Sequence, residues 1–278
     1  MKPAEGVTPF FFDRSALLEI AREHAAAHKV AAPFPHTVID GLFPPEVLRK
    51  VLAEFPAPGT AGWERYDDPL QKKLGSRDEE LVGAATRLFL HELNSEPWIR
   101  FLEELTGIRG LLPDPWFEGG GLHQIERGGM LKVHVDFNKH TLFDLDRRIN
   151  VLIYLNEGWD EAWGGQLELW DQDMSRAVER VAPIFNRMVV FETTDFANHG
   201  HPDPLQCPDG RQRRSIALYY YSNGRPAHEV KAAHTTIFRR RPGEKIPWTM
   251  AELGENLLPP LLLTAIRRAS FRRERKRE

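Results

Sequence analysis

The chain has 278 residues, of which 41% are hydrophobic and 28% charged, which is enough apolar material for a globular protein with a substantial core and excludes a largely disordered chain. A formal net charge of −3 is small for this length, so no whole-molecule field draws it to nucleic acid or to acidic membranes. Its one cysteine, Cys207, excludes an intramolecular disulfide and a cysteine-rich zinc site, and no apolar run is long enough to span a bilayer.

Residues 1–110 read as a mostly helical N-terminal region after an initial extended piece. Residues 34–39 have the pattern of a strand. Pro44 and Pro45 then open a helix whose Val47, Leu48, Val51, Leu52 and Phe55 share one face, and Pro56 and Pro58 stop it. A loop rich in glycine, proline and charge follows. Residues 78–93 give a second amphipathic helix through Leu81, Ala85, Leu88 and Phe89. A third has Ser95 at its N-cap, Pro97 in its first turn and Gly107 just past its end.

From about Leu111 the signal changes to short β-branched and aromatic runs separated by Gly, Pro, Asp and Asn. Strands are predicted at residues 121–125, 130–134, 149–155, 166–170, 187–192 and 213–221. Strands in succession without helices between them indicate an antiparallel sandwich or barrel spanning residues 111–240, not a βαβ sheet. Residues 241–278 form an extension that starts apolar and ends in the basic run Arg272-Arg273-Glu274-Arg275-Lys276-Arg277. Such a tail suits an anionic membrane surface or an acidic partner, and equally a solvated helix end. The lone cysteine and the lack of a secretory h-region in residues 1–15 lead to a cytoplasmic expectation.

Residues two apart on a strand project from the same face, so His134 and Asp136 can reach one point in space. Imidazole, carboxylate and a second imidazole leave open positions on an octahedral ferrous ion, the facial-triad arrangement of oxygenases. Two histidines, His199 and His201, follow the strand at 187–192 and offer the third ligand. Arg213, Ser215, Ala217 and Tyr219 share one face of the last strand. A guanidinium on a rigid strand inside a barrel suits bidentate capture of a carboxylate, and buried without an acidic partner it predicts an anionic small molecule.

The ordered pieces His134-Val135-Asp136, Asn150 to Asn156 followed by Trp159, Gly164-Gly165-Gln166-Leu167, Pro183 to Arg187 running into Val189-Val190-Phe191, His199-Gly200 and Arg213-x-Ser215 resemble the 2-oxoglutarate and iron(II) dependent dioxygenases, within them the prolyl 4-hydroxylase-like branch. The resemblance covers about residues 121–223. It implies an α+β protein that is mainly β, a double-stranded β-helix (jelly-roll or cupin-like) core with the N-terminal helical region packed on it. It implies His134, Asp136 and His199 as iron ligands, His199 in preference to His201, and Arg213, Tyr154 and Ser215 as contacts of the 2-oxoglutarate distal carboxylate. Ile125 stands where many relatives carry a tyrosine, with His123 nearby. The implied chemistry is hydroxylation of an unactivated C–H bond with oxygen, releasing succinate and carbon dioxide. The substrate would be a prolyl residue, an amino acid, or a sugar or lipid intermediate, and no nucleic acid partner is expected.

Two other readings share the barrel: a cupin-like metal-binding module, and a non-redox metal-dependent isomerase or hydrolase. Arg213-x-Ser215 separates them from an oxygenase, because neither needs a carboxylate clamp opposite the metal. Gly164-Gly165 reads as a turn, and Trp159, Trp163 and Trp170 read as packing residues.

Overall fold

The computed structural model describes residues 10–244, so the basic C-terminal tail lies outside the described residues. The helices there are α1 (Arg14–Val30), α2 (Pro45–Ala53), α3 (Ala84–Glu92) and α4 (Glu96–Thr106). The strands are β1 (His36–Asp40), β2 (Glu64–Asp67), β3 (Gln71–Ser76), β4 (Leu112–Pro113), β5 (Gly121–Ile125), β6 (Met130–Val135), β7 (Asp146–Tyr154), β8 (Leu167–Trp170), β9 (Ala177–Val181), β10 (Arg187–Glu192), β11 (His199–His201), β12 (Arg213–Ser222) and β13 (Ile237–Phe238). No helix among the described residues is long and apolar enough to cross a membrane.

Capping residues mark several of the helix ends. Asp13 accepts hydrogen bonds from the Ser15 and Ala16 amides and so opens α1, a helix the sequence pattern left unplaced. Ser95 occupies the N-cap of α4, and Gly107 ends it with a left-handed φ of 76°. The second predicted helix is broken into a 3-10 turn at Glu79–Leu81 and α3. The break has a tertiary cause. The Glu54 carboxylate at the end of α2 accepts hydrogen bonds from the Ala85 and Thr86 amides and the Thr86 hydroxyl, capping α3 from outside. Any side chain at Gly83 would overlap that carboxylate.

Every strand pairing is antiparallel. The order runs β1-β10-β7-β12-β5-β3-β6-β11-β8-β9, with β2 on β3, β4 on β12 and β13 on β6. The path folds over into a nearly closed jelly roll, the double-stranded β-helix expected from the sequence, with helices covering one outer face. The predicted 121–125 and 187–192 strands have the observed bounds, and β6, β7, β8 and β12 differ from expectation only at their ends. One segment differs in kind. The stretch read as a loop after Pro58 contains the β2–β3 hairpin, whose second strand is inserted between β5 and β6. Its sequence, Gln71-Lys72-Lys73-Leu74, is too polar to announce a strand that borders a cavity.

The long strands are covered on both sides, so β7 and β12 are buried almost throughout. Their chemistry alternates even though their burial does not. Ile149, Val151 and Ile153 of β7 and Ile216, Leu218 and Tyr220 of β12 join the helices in the main core, around Trp98, Phe101, Phe43 and Phe89. Trp98 Nε1 donates to the Tyr220 hydroxyl at 2.7 Å, which in turn donates to the Leu93 carbonyl at 2.7 Å. The opposite face of the same strands turns Asn150, Leu152, Arg213, Ser215 and Tyr219 toward a cavity inside the roll.

Candidate active site

The cavity has a volume of about 490 Å³, on the scale that holds a whole small-molecule ligand, and is lined from both layers of the roll. His134 on β6 pairs directly with His199 on β11, and Asp136 lies just past the end of β6. Ligand atoms of His134, Asp136 and His199 all lie within 4.8 Å of one another. Asp136 Oδ1 is 3.5 Å from His134 Nε2, and Asp136 Oδ2 is 3.4 Å from His199 Nε2. His134 Nδ1 is 2.8 Å from the Lys132 carbonyl and His199 Nδ1 is 2.8 Å from the Ala197 carbonyl. With Nδ1–H donating to a carbonyl, the Nε2 lone pair of each ring is turned to the shared point, the arrangement metal-ligating imidazoles adopt.

Electrostatics favour the same state. Burial pushes the His199 imidazole down to about 4, so it is neutral and able to donate a lone pair. Burial alone would raise the Asp136 carboxyl, yet the Arg147 guanidinium, helped by His199 and His134, holds it well below the usual carboxylate range. Two imidazoles and one carboxylate clustered in this way fit a divalent iron ion with coordination positions to spare.

Asp136 is itself held from β7. Asn150 Nδ2 donates to Asp136 Oδ2 at 2.7 Å, and Arg147 Nη2 lies 3.1 Å from the same oxygen. Arg147 also donates from Nε and Nη2 to Asn150 Oδ1 and stacks on the Tyr219 ring, its central carbon 3.3 Å from the centroid. Aromatic faces and hydrogen bonds fix the guanidinium, and the guanidinium fixes the carboxylate. The sequence reading missed Arg147, because nothing in a string of residues shows that a charge at the start of a strand points inward.

At the other end of the cavity Arg213 is 4% exposed. Its Nε donates to the Gly165 carbonyl at 2.8 Å and its Nη2 to the Tyr154 hydroxyl at 3.2 Å, and no carboxylate pairs with it among the described residues. Burial lowers its pKa, with Tyr154 opposing. A buried guanidinium whose neighbours are a carbonyl and a phenol is half of an anion site. Ser215 lies beside it on β12, in register with Tyr154 on one side and His123 on the other, and Ile125 is paired with Arg213 itself. Gly164-Gly165 is therefore more than the turn the sequence suggested. Gly165 has φ of 77°, and a Cβ there would sit 2.6 Å from Leu205 Cδ2 and 3.0 Å from Arg213 Cδ. His201, the alternative third histidine, falls outside the three-residue cluster. It follows a bulge in β11, lines the cavity, and finds no hydrogen-bond partner for either ring nitrogen among the described residues.

Residues 120–221 match the sequence model of the 2OG-Fe(II) oxygenase superfamily. The chain carries a 2-oxoglutarate and iron(II) dependent oxygenase domain. Its enzyme class is that of the 2-oxoglutarate-dependent dioxygenases, with iron(II), 2-oxoglutarate and oxygen as cofactor and cosubstrates. Solved structures agree at the level of fold. A prolyl-4-hydroxylase from Pseudomonas putida superposes with a TM-score of 0.51 at 18% identity, over 74% of this chain and 100% of that one. A Trichoplax adhaerens prolyl hydroxylase, in complex with a peptide fragment of the hypoxia inducible factor oxygen degradation domain, gives 0.55 at 16% identity, over 75% and 91%. A prolyl 4-hydroxylase from Phytophthora capsici gives 0.52 at 18% identity, over 95% and 79%. No curated protein matches the chain by sequence.

The oxygenase domain therefore has the prolyl hydroxylase-like architecture; of the residues that the sequence reading passed over, Lys73 lines the cavity and Arg147 backs it through Asp136 and Asn150. Lys73 lies on the unforeseen strand β3, and only its alternation with Gln71 and Gly75 hinted that it faces inward.

Proposed function

We propose that the chain hydroxylates an unactivated C–H bond of a small-molecule or peptidyl substrate, with iron(II) held by His134, Asp136 and His199. The observation that carries this reading is the placement of a three-ligand cluster and an acid-free buried arginine in one cavity. A plain metal-binding module or a non-redox hydrolase has no use for the second feature. When bound, iron, 2-oxoglutarate and oxygen supply the oxidising equivalents, with succinate and carbon dioxide as coproducts.

The protein's part is positioning. Arg213 and Tyr154 receive the distal carboxylate of 2-oxoglutarate, with Ser215 adding a hydroxyl beside them. Asn150 and Arg147 keep the Asp136 carboxylate turned to the metal. Phe137 and Tyr219, which sandwich Arg147 and line the cavity, form an apolar wall against which substrate packs and water is excluded. Prolyl residues head the substrate candidates because the similar folds are prolyl hydroxylases, with amino acids and sugar or lipid intermediates behind them.

The test is an anaerobic titration of purified protein with ferrous iron and then 2-oxoglutarate, followed by visible absorption. A metal-to-ligand charge-transfer band in the wild type that is missing in Asp136→Ala supports the reading. A folded, iron-loaded protein without the band removes it. Succinate release under air then screens substrates.

A further inference from the structure

Among the described residues the cavity wall carries a lysine, Lys73, that no carboxylate contacts directly. The carboxylates of that wall are Glu64, Glu118 and Asp136. Asp136 is taken by Arg147, Asn150 and the proposed metal. Glu118 accepts from the Thr141 amide at 3.0 Å and lies 2.9 Å from His140 Nδ1. Glu64, on the exposed strand β2, accepts from the Tyr66 hydroxyl at 2.8 Å. None reaches Lys73. Among the described residues Lys73 makes no hydrogen bond or ion pair, and its close partner is the Tyr66 ring, whose centroid is 5.1 Å from Nζ.

2-Oxoglutarate does not fill this gap. It is a dianion, and in the proposed function Arg213 would receive its distal carboxylate while its other end would belong to the metal held by His134, Asp136 and His199. Lys73 sits elsewhere on the wall, on β3 next to Tyr66 and Glu64 of the outermost strand β2, and so on the hairpin side of the cavity. Gly75, two residues along the same face, adds no side chain there and leaves His123 and Tyr66 as its nearest neighbours. His123 is pushed down to about 3 by burial, with Lys73 adding to the effect, so it is neutral and offers no counter-charge. Burial likewise lowers the Lys73 amine. Lys73 is partly buried, and an ammonium drawn from water onto a cavity wall without a contacting anion is disfavoured, a cost that an anionic ligand group would offset.

We propose that Lys73 receives an anionic oxygen group of the substrate, a carboxylate or a phosphate, on the hairpin side of the cavity. This rests on the oxygenase reading, because that reading is what assigns Arg213 to the cosubstrate. It narrows the substrate class to molecules with an acidic group within reach of the carbon to be hydroxylated, and it makes the β2–β3 hairpin a specificity element as well as a wall.

The experiment uses the full chain loaded with manganese(II), which holds the metal site without turnover, and saturated with 2-oxoglutarate. Acetate and inorganic phosphate are titrated calorimetrically at constant ionic strength against a chloride blank. Saturable binding of one of them is expected, weakened about tenfold in Lys73→Met and retained in Lys73→Arg, which matches the loss of one charge-assisted hydrogen bond. The affinity for 2-oxoglutarate is expected to be the same in all three proteins. Lys73→Gln repeats the test if the methionine variant does not fold. Acetate binding alone points to a carboxylate substrate, and phosphate binding alone to a phosphorylated one. The proposal is overturned if neither anion binds saturably, if binding is indifferent to the loss of Lys73, or if 2-oxoglutarate affinity falls in parallel. Should 2-oxoglutarate itself fail to bind, the oxygenase reading falls, and the same titrations on the metal-loaded chain still decide Lys73.

Discussion

The two faces of β7 and β12 are equally buried and do opposite work. Toward the helices they present Ile149, Val151, Ile153, Ile216, Leu218 and Tyr220, which close the main core. Toward the cavity they present Asn150, Leu152, Arg213, Ser215 and Tyr219, most of them polar, with Asn150, Arg213 and Tyr219 held by specific partners. Burial therefore says little about role in this molecule. What distinguishes the faces is whether a side chain is satisfied by the protein or still awaits a ligand. Tyr220 spends its hydroxyl on Trp98 and Leu93, whereas Arg213, one of the same strand's residues, has no acid to pair with among the described residues.

The comparison breaks most visibly on the cavity side. Asp136→Ala is expected to bring metal binding and turnover to background while the thermal midpoint of the metal-free protein stays close to wild type, because Asp136 contributes nothing to the helix-facing core. Loss of iron, measured by metal analysis after desalting, together with an unchanged circular dichroism spectrum checks this. A variant that unfolds would mean that the Asp136, Asn150 and Arg147 network holds the roll together.

On the helix side, Trp98→Ala is expected to cost about 3–5 kcal/mol in denaturant unfolding, as large aromatic truncations in packed cores do. Trp98 is fully buried in the main core and stacks on Phe12 and Phe101 with centroids 5.1 and 4.9 Å away. The charge-transfer band of the molecules that remain folded is expected at its wild-type position. A shifted band would show that the two faces are coupled through the sheet.

Arg213→Ala sharpens the contrast from inside one strand. Affinity for 2-oxoglutarate is expected to fall roughly 100-fold, the scale of a lost charge-assisted pair. Iron affinity is expected to hold, and the metal-free protein should be no less stable, since an uncompensated buried cation has been removed. Calorimetric titration of each ligand and a melting curve separate these effects. Equal loss of iron and 2-oxoglutarate would mean that the roll has lost its shape.

The smallest effect is at the cavity rim. His140 lies between Glu118 and Asp114 at 2.9 and 3.5 Å, and although burial works to lower its pKa, those two carboxylates raise it to about 9. A histidine whose folded pKa lies above its ordinary 6.5 stabilises fully below that value and loses the contribution as pH rises through 9. The difference in melting temperature between wild type and His140→Gln is therefore expected to shrink between pH 6.5 and pH above 9. A constant difference would assign His140 a packing role alone.

By itself the sequence determined the local pieces of this protein. Alternating apolar runs marked β5, β6, β7, β8, β10 and β12, proline and glycine marked the ends of α2 and α4, and the spacing of His134 and Asp136 marked a chelating pair, because strand period and capping chemistry act over a few neighbouring residues. Only the tertiary structure decided what meets across the roll. It placed β3 between β5 and β6, brought His199 to the His134 and Asp136 pair while leaving His201 beyond a bulge, turned Arg147 onto Asp136, and left Lys73 without an ion-pair partner among the described residues. Those outcomes depend on pairing register and on counter-charges supplied from strands far apart in the chain, and register is set by how whole faces pack rather than by any residue's immediate neighbours.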